Sequence, residues 1–153
     1  MADLDTTMRK VALYLRECVG DFVDNSDGTM SFPFGSTRVV VSGSEDTVQD
    51  ATFVHFRAHI AHQVPITDDL YRWLATTSND LLFGRLTLNR DANQPSVGEL
   101  NLEHTLLGDW LDPAELRVVV AFLAARGDEL DDTIVDHFGG SRFVDSGSDK
   151  PDG

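Results

Sequence analysis

The 153 residues are enough for one domain that buries its own core without disulfide or metal staples. Hydrophobic and charged fractions are ordinary, but 12 Lys+Arg against 26 Asp+Glu leave a net charge of −14. A surface of that sign repels phosphate backbones and anionic lipid heads, so no nucleic acid and no membrane is expected as a partner; a basic or neutral polypeptide is admitted.

Met-Ala-Asp-Leu-Asp opens the chain without a basic segment leading into an apolar run, and no stretch approaches the roughly 18 apolar residues of a membrane span, so a cytoplasmic location is expected. The first element is a helix capped by Asp5 or Thr6. Leu4, Met8, Val11, Leu15, Cys18, Val19 and Phe22 recur at three- and four-residue steps and form one apolar stripe. Cys18, the only cysteine, lies on that stripe and reads as a small buried hydrophobe; alone it forms neither an intramolecular disulfide nor a thiolate cluster. Asn25-Ser26-Asp27-Gly28 reads as a turn.

Three strands follow. Thr29–Phe34 is short, and Pro33 marks it as an edge or an end because proline cannot donate to a ladder. Gly35-Ser36 is a two-residue hairpin turn into Arg38–Ser42, which carries the β-branched run Val39-Val40-Val41. Gly43–Asp50 reads as a polar loop. In Ala51–Gln63, Val54, Phe56, Ala58 and Ile60 alternate with Phe53, His55, Arg57 and His59, the pattern of a sheet with one side on a core. Thr67 then caps a short second helix, with Asp68 and Asp69 at its positive end and Leu70, Trp73 and Leu74 on its apolar side. Leu81–Asn89 and Val97–Leu106 form a hairpin. Leu82, Gly84, Leu86 and Leu88 share one face of the first strand; Leu100, Leu102, His104 and Leu106 share one face of the second.

Asp112-Pro113-Ala114-Glu115 starts the last helix with an N-cap, a proline in the first turn and a capping-box glutamate. Leu116, Val119, Val120, Leu123, Gly127, Leu130, Ile134, His137 and Phe138 line one side, and Gly139-Gly140 ends it. Asp131, Asp132 and Asp136 read as a solvated face. The domain is expected over residues 1–143, with a disordered acidic tail over 144–153. The order α-β-β-β-α-β-β-α predicts an α+β fold: a twisted five-stranded antiparallel sheet with the first and last helices on one face.

A catalytic set does not emerge. His55 and His59 share a face but stand about 13 Å apart at roughly 3.3 Å per residue, too far for one metal ion. No serine sits in a glycine-flanked elbow, no glycine-rich loop opens a helix, and no carboxylate pair is singled out by spacing. No cofactor is expected. The aromatic residues say more. Phe53 lies on the polar side of its strand, where Val40 and Phe83 are expected to join it; with His55, Arg57 and Arg85 they form a mixed patch suited to a partner or to a second copy. Trp73 and Trp110 read as structural, Trp110 as a staple ahead of the last helix.

Asn79-Asp80-Leu81-Leu82-Phe83-Gly84-Arg85-Leu86, Gly98 through Gly108, Leu111-Asp112-Pro113-Ala114-Glu115-Leu116, Asp131-Asp132 and Phe138-Gly139-Gly140, together with the element order, resemble the type III secretion chaperone fold in its YbjN-like branch. The element order covers most of the chain; the likeness in wording runs from about residue 65 to 142. The resemblance implies a non-enzymatic protein- or peptide-binding module, chaperone-like or regulatory, commonly dimeric, whose partner is an extended segment of another protein. The alternatives are a structural or regulatory homodimer without a client, and an enzyme with a cryptic carboxylate or histidine site around His104.

Overall fold

The computed structural model describes residues 3–146. Its elements are α1 (Leu4–Val19), β1 (Val23–Asp24), β2 (Met30–Phe34), β3 (Thr37–Asp46), β4 (Ala51–Pro65), α2 (Asp68–Thr77), β5 (Arg85–Arg90), β6 (Val97–Leu107), α3 (Pro113–Phe138) and β7 (Ser141–Arg142), with 3-10 turns at Ser78–Asp80 and Phe143–Ser146. The sheet runs β1-β2-β3-β4-β6-β5, with β7 added to β4 at Ala61 and His62; every pairing is antiparallel. The five expected strands are all present, and the two-residue β1 and β7 raise the total to seven. Past Phe143–Ser146, the expected tail lies outside the described residues.

One face of this sheet is covered by α1 and α3. Val39 and Val41 of β3, Val54, Phe56, Ala58 and Ile60 of β4, and Leu100 and Leu102 of β6 meet Val11 and Leu15 of α1 and Leu116, Val119, Leu123 and Ile134 of α3 in one continuous core. Fully burying a residue such as Phe56 stabilises the fold by about 1.5–3 kcal/mol. α2 adds Leu70, and its Trp73 meets Phe138 at the end of α3 with ring centroids 5.6 Å apart, the structural role expected of it.

Several local expectations are corrected. The cap of α1 is Asp3, which accepts from the Thr6 amide at 2.7 Å, because the helix begins at Leu4 and leaves Asp5 and Thr6 inside the first turn. β3 does not stop at Ser42 but pairs with β4 through Asp46. Gly43 permits this: a Cβ there would stand 2.6 Å from Met8 Sδ, so the missing side chain lets α1 lie close on the strand. The alternation of β4 breaks after Ile60, where the register against β6 shifts and Ile60 and Ala61 are both buried; Gln63 takes φ +55 in this bulged stretch. β5 begins only at Arg85, which leaves Leu82 outside the strand and 79% exposed. His137 is exposed as well.

α3 starts as expected, Asp112 Oδ1 accepting from the Glu115 amide at 2.8 Å, and ends at Gly139 with φ +88. Asp131 is not on a solvated face. It follows Gly127 by four residues and precedes Ile134 by three, which places it on the buried stripe, and it is 0% exposed. The other end of the helix layer is tied down by polar contacts. Thr7 and Thr52 hydroxyls meet at 2.9 Å, the Thr52 amide donates to Asp109 Oδ2, and Lys10 Nζ donates to the Gly108 carbonyl at 2.7 Å.

Candidate functional site

The side chains that β4 turns away from the helices are His55, Arg57 and His59. Antiparallel register sets them into cross-strand rows. In one row Arg85 of β5, Glu103 of β6, Arg57 of β4, Val40 of β3 and Ser31 of β2 stand side by side; in the next are Thr87, Asn101, His59 and Arg38. A depression of about 430 Å³ is lined by Val40, Ser42, His55, Arg57, Arg85 and Glu103 among others.

The polar groups of this face are organised around Glu103, whose side chain is only 17% exposed. Arg57 Nε donates to its Oε1 at 2.7 Å, and Arg85 Nη2 lies 3.7 Å from its Oε2. One carboxylate thus serves two guanidiniums, and the Nη groups of Arg57 make no other hydrogen bond among the described residues. Arg38 Nη2 donates to the buried Ser31 hydroxyl at 2.6 Å. His55 is held between two hydroxyls, Nε2 at 2.7 Å from Ser44 Oγ and Nδ1 at 3.0 Å from Thr105 Oγ1, an arrangement that suits either neutral tautomer. Burial lowers its pKa, against the opposing pull of Glu103. His59 Nδ1 lies 2.7 Å from Glu99 Oε1, and this hydrogen bond holds the Glu99 carboxyl below its ordinary range.

Of the six residues singled out in the sequence, the fold brings Val40, His55, Arg57 and Arg85 to one depression. Phe53 lies on the same face but farther along it, opposite Ser44 and Leu107. Phe83 does not belong to this face. Its ring packs edge-on against Phe122 of α3, centroids 5.5 Å apart, and against His104 at 5.6 Å, because Leu81–Gly84 precede β5 and fold toward the helices. His104 therefore turns away from Glu103; its Nδ1 accepts from the Gly84 amide at 3.0 Å. Among the described residues no three His, Cys, Asp or Glu side chains are grouped as a metal site would need. Trp110 is no staple: it is 75% exposed beyond the end of β6.

Sequence reasoning passed over Glu103 and Thr105. Their phase opposite Leu102 and His104 puts them on the outer face, but nothing local says that β6 lies between β4 and β5, which is what sets Glu103 between two arginines. A second concavity, of about 580 Å³, opens on the other side of the sheet, where Cys18, Phe34, Val120 and Ala121 wall a groove between α1, β2 and α3. Cys18 is half-buried there, and burial raises its thiol pKa.

Among the described residues no helix is long and apolar enough to cross a membrane. No curated protein sequence matches the chain. Among solved structures, a chain in the crystal structure of the ExsC–ExsE complex superposes with a TM-score of 0.60 at 14% identity, covering 88% of this chain and 97% of its own, a likeness of fold. The family described as T3SS (YopN, CesT) and YbjN peptide-binding chaperone 1 matches residues 5–146, nearly the whole length, and the chain belongs to that peptide-binding chaperone family.

Proposed function

We propose that the chain is a non-catalytic binding module that holds an extended segment of another protein across the outer face of its sheet. The observation that carries this reading is the depression around Val40, His55, Arg57 and Arg85, on the side of the sheet that neither α1 nor α3 covers. Val40 offers apolar contact, and the Glu103-anchored guanidiniums offer donors to peptide carbonyls or side chains. Family membership supports a peptide as the ligand class; the likeness to a chain in the ExsC–ExsE complex supports the fold on which such a face is built.

The test is affinity capture followed by mapping of the captured protein on overlapping synthetic peptides. Val40→Asp is compared with Ala121→Asp, which alters the helix-side groove instead. The expected result is that Val40→Asp abolishes retention of one mapped segment, with the denaturation midpoint preserved, while Ala121→Asp retains it. Loss on Ala121→Asp alone moves the site to the groove. If wild type captures no segment and light scattering finds a dimer that Val40→Asp splits, the face is occupied by a second copy and the client reading is wrong.

A further inference from the structure

Asp131 places a carboxyl group where the stripe of α3 calls for an apolar side chain. It is fully buried beneath the β2–β3 turn, and its Oδ1 has no hydrogen-bond partner among the described residues. Its other oxygen, Oδ2, contacts Ser36 Oγ. The same Ser36 Oγ lies 2.7 Å from Asp128 Oδ1, and Asp128 Oδ1 also accepts from the Ser36 amide at 2.8 Å. Gly35, with φ +53, makes this approach possible, since a Cβ there would sit 2.2 Å from Asp128 Oδ1.

The proton count decides what this cluster is. A serine hydroxyl has one hydrogen to donate. With both carboxyls ionised, Ser36 Oγ would face two anionic acceptors with one proton, and one of the two oxygen–oxygen contacts would hold no hydrogen at all. A single additional proton completes the chain: Asp131 Oδ2–H donates to Ser36 Oγ, and Ser36 Oγ–H donates to Asp128 Oδ1. The alternative site for that proton, Asp128, already accepts the Ser36 amide and is the less buried of the two, so the charge belongs on Asp128. The remaining charged groups agree. Asp132, on the same helix, adds negative charge beside Asp131; Arg142 of β7 donates to Asp132 at 3.1 Å and acts on Asp128.

We propose that Asp131 carries a proton in the folded chain and forms, with Ser36 and Asp128, a proton-dependent latch between the β2–β3 turn and α3. The turn leads directly into Arg38 and Val40, so the latch fixes the strand that forms one wall of the outer face. Burial, against the opposing pull of the Ser36 contact and with the Asp132 and Asp128 charges adding to it, raises the Asp131 pKa, while the amide and hydroxyl of Ser36 lower that of Asp128. An acid whose folded pKa is raised contributes fully below its ordinary value of 3.8 and loses that contribution as pH rises through the raised value. Ionisation leaves two anions competing for one hydroxyl, and the turn is released.

The experiment is a pH titration of the aspartate side-chain carbons by NMR on the full chain, with hydrogen-exchange protection of the Ser36 amide followed in parallel. The expected result is an Asp131 midpoint above that of Asp128. Ser36 protection should fall across the Asp131 transition, by up to about tenfold for each unit by which that midpoint exceeds the ordinary value. In Asp131→Asn the side-chain amide still donates to Ser36 Oγ, so protection should no longer change across that range. An Asp131 midpoint at or below that of Asp128 in wild type overturns the proposal without recourse to any variant. So does a Ser36 amide whose protection ignores the Asp131 transition.

Discussion

The two faces of this sheet are made by the same strands and do different work. Along β4, Val54, Phe56, Ala58 and Ile60 enter the core beneath α1 and α3, while His55, Arg57 and His59 alternate with them and end in hydrogen bonds to β6 and its neighbours. The covered face is held by apolar burial, which is non-directional and proportional to area. The open face is held by paired polar groups; those that are exposed, such as the Arg57–Glu103 pair, contribute little net stability, whereas Ser31 and Asn101 in the same rows are buried. If the outer face is the proposed binding surface, folding and recognition are separable at single-residue spacing, and its exposed positions can vary without unfolding the domain.

The sharpest test of that separation uses adjacent residues. Phe56→Ala removes a side chain that is 1% exposed and should cost about 3–5 kcal/mol in urea denaturation. Arg57→Ala, one position on, breaks a half-exposed ion pair with Glu103 and should cost about 1 kcal/mol or less. Comparable losses would mean that the outer row supports the fold as the core does, and the division between the faces would fail. Gly108→Ala probes the seam between the layers. An added Cβ would stand 2.5 Å from both Thr52 Oγ1 and Thr7 Cγ2, β-branched side chains that cannot swing aside, so a loss of about 1–3 kcal/mol is expected. Gly43→Ala meets the flexible end of Met8 instead and should cost less in the same measurement.

The alternation in Ala51–Ile60 and the cap and stripe of α3 made the layered fold legible, because both periods are long and unbroken there. Local chemistry that depends on register was not legible. That Glu103 stands between Arg57 and Arg85 follows from β6 inserting between β4 and β5, a long-range choice with no mark in either strand. Phe83 was misplaced because Leu81–Gly84 look like the start of a strand, yet Gly84 takes φ +81 and turns the chain toward α3. Asp131 was misplaced for the opposite reason: its position on the stripe was plain, but its charge argued for solvent. It is buried instead against the Ser36 hydroxyl, 95 residues away in sequence. Trp110 is no staple because the residue directly before the Asp112 cap is Leu111, and it is Leu111 that is buried.

The smallest expected effect distinguishes the faces by the sign of their response to pH. Burial lowers the His55 pKa below the ordinary 6.5. The unfolded chain therefore takes up a proton near that value which the folded chain refuses, so the contribution of His55 is complete above it and is lost as pH falls. Asp131, on the helix side, runs the other way and weakens the fold as pH rises. His55→Gln keeps a polar group between Ser44 and Thr105 but cannot titrate. Urea midpoints followed from about pH 7 to about pH 5 should fall more steeply in wild type than in this variant. Parallel profiles would mean that the ring gains its proton as readily in the folded chain as outside it. The outer face would then be open enough at His55 for water to solvate the imidazolium, and a bound segment would find a wetter, less ordered surface than the hydrogen bonds to Ser44 and Thr105 imply.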